Sequence, residues 1–237
     1  MEIKSISATS YSTYSTCPYS FKLKYFYKLL VPEIEAFKIG KALHTALELH
    51  HKNIEKEIII QKIKETFLTE PIDNKKINNF SLVKKMFELY LKYPLGGTTK
   101  SLEYQFRISL PNINAVLHGY MDRITEEGEI IDYKTSAKDY STADANTIQA
   151  EIYSYALKEI MKKEGKVIFY VLNKNKIKKS DYIPQIITLQ PDTSKLLDKL
   201  SVFYKNVYNN KFEPKRGTHC LWCIYKDSCR FNKVKKK

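Results

Sequence analysis

His118-Gly119-Tyr120-Met121-Asp122-Arg123-Ile124-Thr125, Glu126-Glu127-Gly128 and Glu129-Ile130-Ile131-Asp132-Tyr133-Lys134-Thr135 form the stretch on which the fold of this chain turns. Its outer parts read as two strands, 115–125 and 129–134, around a turn closed by glycine. A three-residue loop with Gly128 in the left-handed position is a common hairpin form. It pairs Thr125 with Glu129, and counting back sets Asp122 opposite Asp132 on one face, with Cβ atoms about 5 Å apart. A two-residue loop at Glu127-Gly128 sets Asp122 against Tyr133 instead, on the wrong face. Asp132 and Lys134 stand two apart on one strand and share a face in either case. Tyr133 turns its side chain the other way, and its carbonyl lies along the edge between them.

Two carboxylates so placed repel each other unless a cation lies between them. Lys134 supplies one positive charge and a divalent ion the rest; oxygen ligands of this kind select Mg²⁺ or Mn²⁺. Such an ion would hold a phosphate oxygen and acidify a water. Lys134 would orient that water and balance the charge that develops. An Asp-x-Lys triplet alone is common in basic proteins and equally describes a surface ion pair. Its weight comes from what surrounds it in order.

Upstream, residues 36–52 carry a helical pattern in which Gly40 and His44 are four apart and share a face. His44 either packs as a core histidine or adds a nitrogen ligand that leans the site toward Mn²⁺. Downstream, a helix over 146–163 puts Gln149 and Tyr153 on one face, within reach of substrate or of Lys134. Glu103, in the alternating strand Leu102–Ile108, reads as a solvated position.

Further helices are predicted at 8–16, Tyr19–Leu30, 54–68, 77–92 and 192–209, and strands at Val167–Leu172 and 182–188. Pro18 suits the first turn of a helix, with Cys17 just ahead of it, near free backbone N–H groups that favour a thiolate. Pro94-Leu95-Gly96-Gly97 is a break. The order of helices, three strands, helix, two strands and helix predicts an α/β protein with a mixed central β-sheet flanked by helices. The expectation is one domain over 1–237, with a helical N-terminal part (1–95), an α/β core (100–190), and a C-terminal helix with a cysteine region (191–237).

The chain has 237 residues, 43% of them hydrophobic, enough for a core of this kind. No apolar run is long enough to span a bilayer, and the first residues lack the apolar block of a secretory signal. An intracellular protein is expected, with no membrane partner. The formal charge of +14 favours a polyanion, nucleic acid first; a lysine-rich proteome would produce the same excess. The basic tail Lys233–Lys237 is expected to be solvated.

Four cysteines complete the pattern: Cys17 alone, then Cys220, Cys223 and Cys229 in a C-x2-C-x5-C run. Four thiolates close a tetrahedral zinc site or hold an iron–sulfur cluster, and in a reducing compartment either is favoured over two disulfides.

Taken together, the ordered set resembles the PD-(D/E)XK nuclease superfamily in its RecB-like branch. The likeness is greatest to its iron–sulfur members, the CRISPR-associated RecB-like exonucleases and the nuclease domain of AddB. The resemblance runs from Ser7-x-Thr9 and Tyr14-x-x-Cys17-Pro18-x-x-Phe21 to Cys229, through Gly119-x-x-Asp122, Asp132-x-Lys134 and Gln149-x3-Tyr153. It implies a restriction-endonuclease-like core. It implies metal ligation by His44, Asp122, Asp132 and the Tyr133 carbonyl, with Lys134 as the motif lysine and Gln149 and Tyr153 as the motif that follows. It implies a [4Fe-4S] cluster on Cys17, Cys220, Cys223 and Cys229, and cleavage of DNA, often single-stranded and from an end. Two other readings stand beside a Mg²⁺/Mn²⁺-dependent deoxyribonuclease. One is a nucleic-acid-binding partner acting within a complex, with a helicase or an integrase; the other is a zinc-stapled basic protein without an active site.

Overall fold

The computed structural model of the chain describes residues 2–30, 34–145, 147–163 and 165–231. The lysine tail lies outside them. In chain order the elements are β1 (Ser5–Ile6), α1 (Ala8–Thr16), α2 (Pro18–Tyr25), α3 (Glu35–His51), α4 (Lys56–Phe67), α5 (Asn74–Lys92), β2 (Thr99–Ser109), β3 (Val116–Thr125) and β4 (Ile130–Ser136). After these come α6 (Thr142–Ala145), α7 (Ile148–Met161), β5 (Val167–Asn173), β6 (Gln185–Leu189), α8 (Leu196–Tyr208) and a 3-10 turn at Thr218–Trp222. The result is a mixed central sheet with flanking helices, the α/β class expected. No helix is long and apolar enough to cross a membrane, among the described residues.

The chain divides into two compact units. One comprises Glu33–Gln105 and Tyr120–Pro191; the other comprises Met1–Pro32, Phe106–Gly119 and Asp192–Lys237. In the first, β3 and β4 form the hairpin in the three-residue register. Arg123 faces Ile131 and Ile124 faces Ile130, the Thr125 N–H donates to the Glu129 carbonyl at 3.0 Å, and Gly128 takes a φ of +87°. Beside β4 runs β5 in parallel, from Ile130 against Val167 to Ser136 against Asn173, and β6 is antiparallel to β5. Every residue of β5 is buried, which is why its sequence reads as one apolar run without alternation.

The helices α3, α4 and α5 close this unit over a core that includes Leu43, Leu47, Ile63, Phe87, Tyr90 and Tyr133. Arg123 is buried, and its guanidinium donates to the Leu95 and Gly96 carbonyls at 3.1 Å each and to Thr99 Oγ1 at 2.9 Å. A side chain next to Asp122 thus fixes the Pro94–Gly97 break and the start of β2. The Tyr133 phenol lies 3.0 Å from His51 Nε2, which is 2.8 Å from the Tyr90 hydroxyl.

Burial, with Arg123 adding, depresses His51 to a pKa of about 4, so it is neutral in the fold. The unfolded chain binds this proton below about pH 6.5, the folded chain only below about 4, so stability falls as pH drops through that window. After discounting for its remaining exposure to solvent, the loss assigned to His51 is on the order of 1–2 kcal/mol. Urea unfolding of wild type and His51→Gln at pH 7 and pH 4.5 should show the gap between them narrowing by that amount at the lower pH.

In the second unit, α1 starts at a reciprocal cap in which Ser7 and Ser10 bond each other's backbone N–H. The first residues of β3 take β1 alongside in parallel, Ser5 against Val116 and Ile6 against Leu117. Rings of Tyr11, Tyr14, Phe21, Phe203 and Phe212 meet edge-on or stacked at 5.1–6.4 Å, joining α1 and α2 to α8. A ring also explains Gly119: a Cβ there would lie 2.7 Å from Cζ of the buried Phe106.

Several boundaries differ from expectation. The helix predicted to run to Leu30 ends at Tyr25, because Lys28 takes a φ of 49° and turns the Leu29 N–H back to the Leu23 carbonyl. The predicted strand 182–188 begins at Gln185. Tyr182 is instead an anchor whose hydroxyl accepts the Asn173 N–H at 2.7 Å. The long C-terminal helix starts at Leu196 rather than at residue 192. The short β1 and α6 have no pattern long enough to read.

Candidate metal centre

The site lies wholly within the first unit. Beyond the Arg123–Ile131 pair, the Tyr133 N–H donates to Asp122 Oδ2 at 2.8 Å, so a carboxylate takes a backbone donor beside the strand pairing. The Tyr133 carbonyl meets His44 Nε2 at 2.8 Å, and His44 Nδ1 lies 3.3 Å from Asp122 Oδ1. One peptide unit of β4 therefore fixes both a strand acid and a helix imidazole. His44 projects from α3 over Tyr133, and at Gly40, one turn earlier, a Cβ would rest 3.6 Å from Thr135 Oγ1, ordinary contact.

Asp132 is 2% exposed. Its Oδ1 accepts from Gln149 Nε2 at 3.0 Å and from the Tyr153 hydroxyl at 3.1 Å, both on α7. Lys134 Nζ lies 2.6 Å from Asp132 Oδ2 and donates to Gln149 Oε1 at 2.8 Å. The side-chain amide of Gln149 also donates to the Tyr153 oxygen at 2.7 Å. Gln149 and Tyr153, one turn apart, thus clamp the acid and the ammonium of the Asp-x-Lys triplet from the opposite side.

Burial depresses the tendency of His44 to hold a proton, but Asp122, Asp132 and the Tyr133 carbonyl outweigh it and raise its pKa to about 9. Burial also pushes Asp132 upward, against the pull of Lys134. Lys134 is disfavoured by its own burial, yet Asp132 and then Asp122 raise it, so it stays an ammonium. Tyr153 is held well above its ordinary value, first by burial and then by Asp132, and serves as a neutral donor.

Glu103 corrects the sequence reading. It is half-buried, not solvated, and its carboxylate, His44 and Asp122 offer ligand atoms all within 4.8 Å of one another. Burial raises its pKa, with Asp122 adding. Its φ of 46° is a left-handed value that a non-glycine residue adopts at a cost. Alternation in β2 carries no sign of that twist; an acid on the strand preceding the Asp122 hairpin was the only available hint.

These donors suit a hard divalent cation. Three ligand atoms converge, and beside them the buried Asp132 turns Oδ2 to the Lys134 ammonium at 2.6 Å. Such groups grip a phosphate through a divalent ion, and the class they point to is that of phosphodiester hydrolases.

Comparison with known families makes this particular: the chain belongs to the PD-(D/E)XK nuclease superfamily, whose sequence profile matches residues 5–230. A crystal structure of a presumed exonuclease from Eubacterium rectale is similar at a TM-score of 0.60 and 16% identity, covering 99% of this chain and 90% of that one. The crystal structure of SSO0001 is similar at a TM-score of 0.46 and 14% identity, covering 97% and 87%. At 16% identity the likeness to the former concerns the fold. No curated protein matches the chain.

The four cysteines all belong to the second unit. Cys17 sits at the N-cap of α2 without a side-chain capping bond. With Tyr19, Leu23 and Tyr225 it forms a small core, against which Cys223, Cys229 and Phe231 pack. Burial pushes the Cys223 thiol up, the other three cysteines add to this, and a bond from the Tyr225 backbone opposes it. The four are unbridged, and the other three lie near enough to Cys223 to act on it electrostatically.

Proposed function

We propose that the chain is a divalent-metal-dependent deoxyribonuclease of the RecB-like branch, acting as an exonuclease on single-stranded DNA and carrying a structural [4Fe-4S] cluster. One observation carries the reading. The Asp-x-Lys pair is locked by Gln149 and Tyr153 beside the convergent donors of His44, Glu103 and Asp122.

Asp122, Asp132, His44 and the Tyr133 carbonyl would hold the ion, Mg²⁺ or Mn²⁺, with Glu103 as an added carboxylate. When bound, it supplies positive charge to a phosphate oxygen and acidity to a water. Lys134, kept cationic by Asp132, orients the attacking water and faces the charge that builds on the phosphate. Gln149 bonds both members of the pair and so sets the position of the ammonium. Tyr153 holds Asp132 Oδ1, so that Oδ2, beside Lys134, would be the oxygen that holds the ion.

The cluster assignment is supported by four unbridged cysteines, of which Cys17, Cys223 and Cys229 meet at one small core and Cys220 lies near enough to Cys223 to act on it electrostatically. A single tetrahedral zinc would bring the sulfurs within about 3.8 Å of one another. Among the described residues, His44, Glu103 and Asp122 form the group whose donors lie within 4.8 Å of one another, and no cysteine belongs to it.

The test is cleavage of single- and double-stranded DNA labelled at either end, with Mg²⁺, Mn²⁺ or EDTA. Metal-dependent shortening of single strands from one end is expected. Undiminished cleavage in EDTA would overturn the metal assignment, and internal cuts would overturn the exonuclease assignment.

A further inference from the structure

Trp222 is the chain's sole tryptophan and is 85% exposed, and Leu221 beside it is 68% exposed. Large aromatic side chains normally contribute their area to a core, so an indole held in water calls for a ligand. The cause of the exposure is local. Cys220 and Cys223 bracket the pair, the Cys223 N–H returns to the Cys220 carbonyl at 3.4 Å, and Cys223 packs inward against Cys17 and Tyr225. Anchoring the cysteines turns the two residues between them outward.

The surroundings are basic. Within Lys211–Phe231, five Lys and Arg residues (Lys211, Lys215, Arg216, Lys226 and Arg230) stand against Glu213 and Asp227. In the same unit α1 and α8 border a cavity of about 470 Å³, lined by Tyr11, Tyr14, Lys195, Lys199 and Lys215 against one acid, Asp198. Lys215 belongs to both places. Its ammonium donates to the Ser15 carbonyl at 2.8 Å beside the cavity, and its own carbonyl meets His219 Nε2 at 3.0 Å in the cysteine run. Cations along a groove that Lys215 joins to the turn bearing an exposed indole fit a chain of phosphates with unpaired, stackable bases; an apolar protein partner would not call for the lysines.

We infer that the second unit carries a single-strand binding path, in which Lys195, Lys199 and Lys215 receive phosphates and Trp222 stacks on an unpaired base. This rests on the reading of the protein as a DNA nuclease. It adds a contact surface built from residues that take no part in the metal centre.

The experiment measures binding of a fluorescein-labelled oligothymidylate by anisotropy in EDTA, where no cutting is expected. Stacking on one aromatic ring leads to an expected loss of about tenfold in affinity for Trp222→Ala, with Trp222→Phe keeping most of it. Replacing Lys195 and Lys199 by Gln should flatten the slope of log affinity against log salt by about 1.4, as expected for two fewer phosphate contacts on a single strand. A 5-iodouracil oligonucleotide irradiated with the wild-type protein should cross-link to Trp222, which tests the contact without any variant. Unchanged affinity in Trp222→Ala, or cross-links confined to other residues, would overturn the path. If the affinity of Trp222→Ala is unchanged while the wild-type protein cleaves DNA, the path fails and the nuclease reading stands.

Discussion

Asp132→Asn is expected to lower DNA cleavage on the order of a thousandfold or more while leaving DNA affinity within a factor of about two. The substitution keeps the volume and the bonds from Gln149 and Tyr153 but removes the charge at a site that is 2% exposed. Two consequences follow. On the proposed assignment the ion loses a buried carboxylate, and Lys134 loses the partner that holds it as an ammonium against burial. Single-turnover cleavage and Mn²⁺ binding measured by electron paramagnetic resonance separate them. Weak Mn²⁺ binding that higher Mn²⁺ makes good, with cleavage restored, marks loss of the ligand; cleavage that stays low at saturating Mn²⁺ marks loss of the charged pair. Cleavage at the wild-type rate would remove Asp132 from the chemistry altogether.

Cys223→Ser carries the second large effect, on the fold. The core at the cysteine run comprises Cys17, Tyr19, Leu23 and Tyr225, with Cys223, Cys229 and Phe231 against it. So few buried side chains cannot by themselves offset the entropy of ordering the segment from Gly217 to Phe231. Ligation of a structural metal by four cysteines contributes on the order of 10 kcal/mol, comparable to the whole stability of an ordinary domain. With the proposed cluster on the four cysteines, the variant is therefore expected to lose colour and bound iron, and to expose the 217–231 segment to protease. Iron and sulfide analysis with limited proteolysis of anaerobically prepared protein checks this. A colourless, zinc-loaded wild type would replace the cluster by zinc and leave the metal centre of the other unit untouched.

Much of the candidate site was legible because strands obey a period of two and hairpins count. Thr125 opposite Glu129 followed from Gly128 and a loop of three residues, and that register is the one formed. The one-turn spacing of Gln149 and Tyr153 placed both on the face of α7 that meets Asp132. Glu103 escaped because its place depends on a left-handed backbone angle inside β2, and alternation assigned it to solvent. The extra turn predicted for α2 failed for a related reason: Lys28 reverses the chain with no glycine to signal it.

Local sequence thus determined the elements, the hairpin register and the pairing of Asp132 with Lys134, because each depends on spacing along one or two neighbouring segments. Only the tertiary structure decided that His44 from α3 and Glu103 from β2 meet Asp122, that the Tyr133 peptide bonds both Asp122 and His44, and that Cys17 meets Cys223 and Cys229 at one core. Those meetings join residues far apart in the chain, and they are fixed by how helices and strands pack once apolar surface is buried, which no spacing along the sequence records.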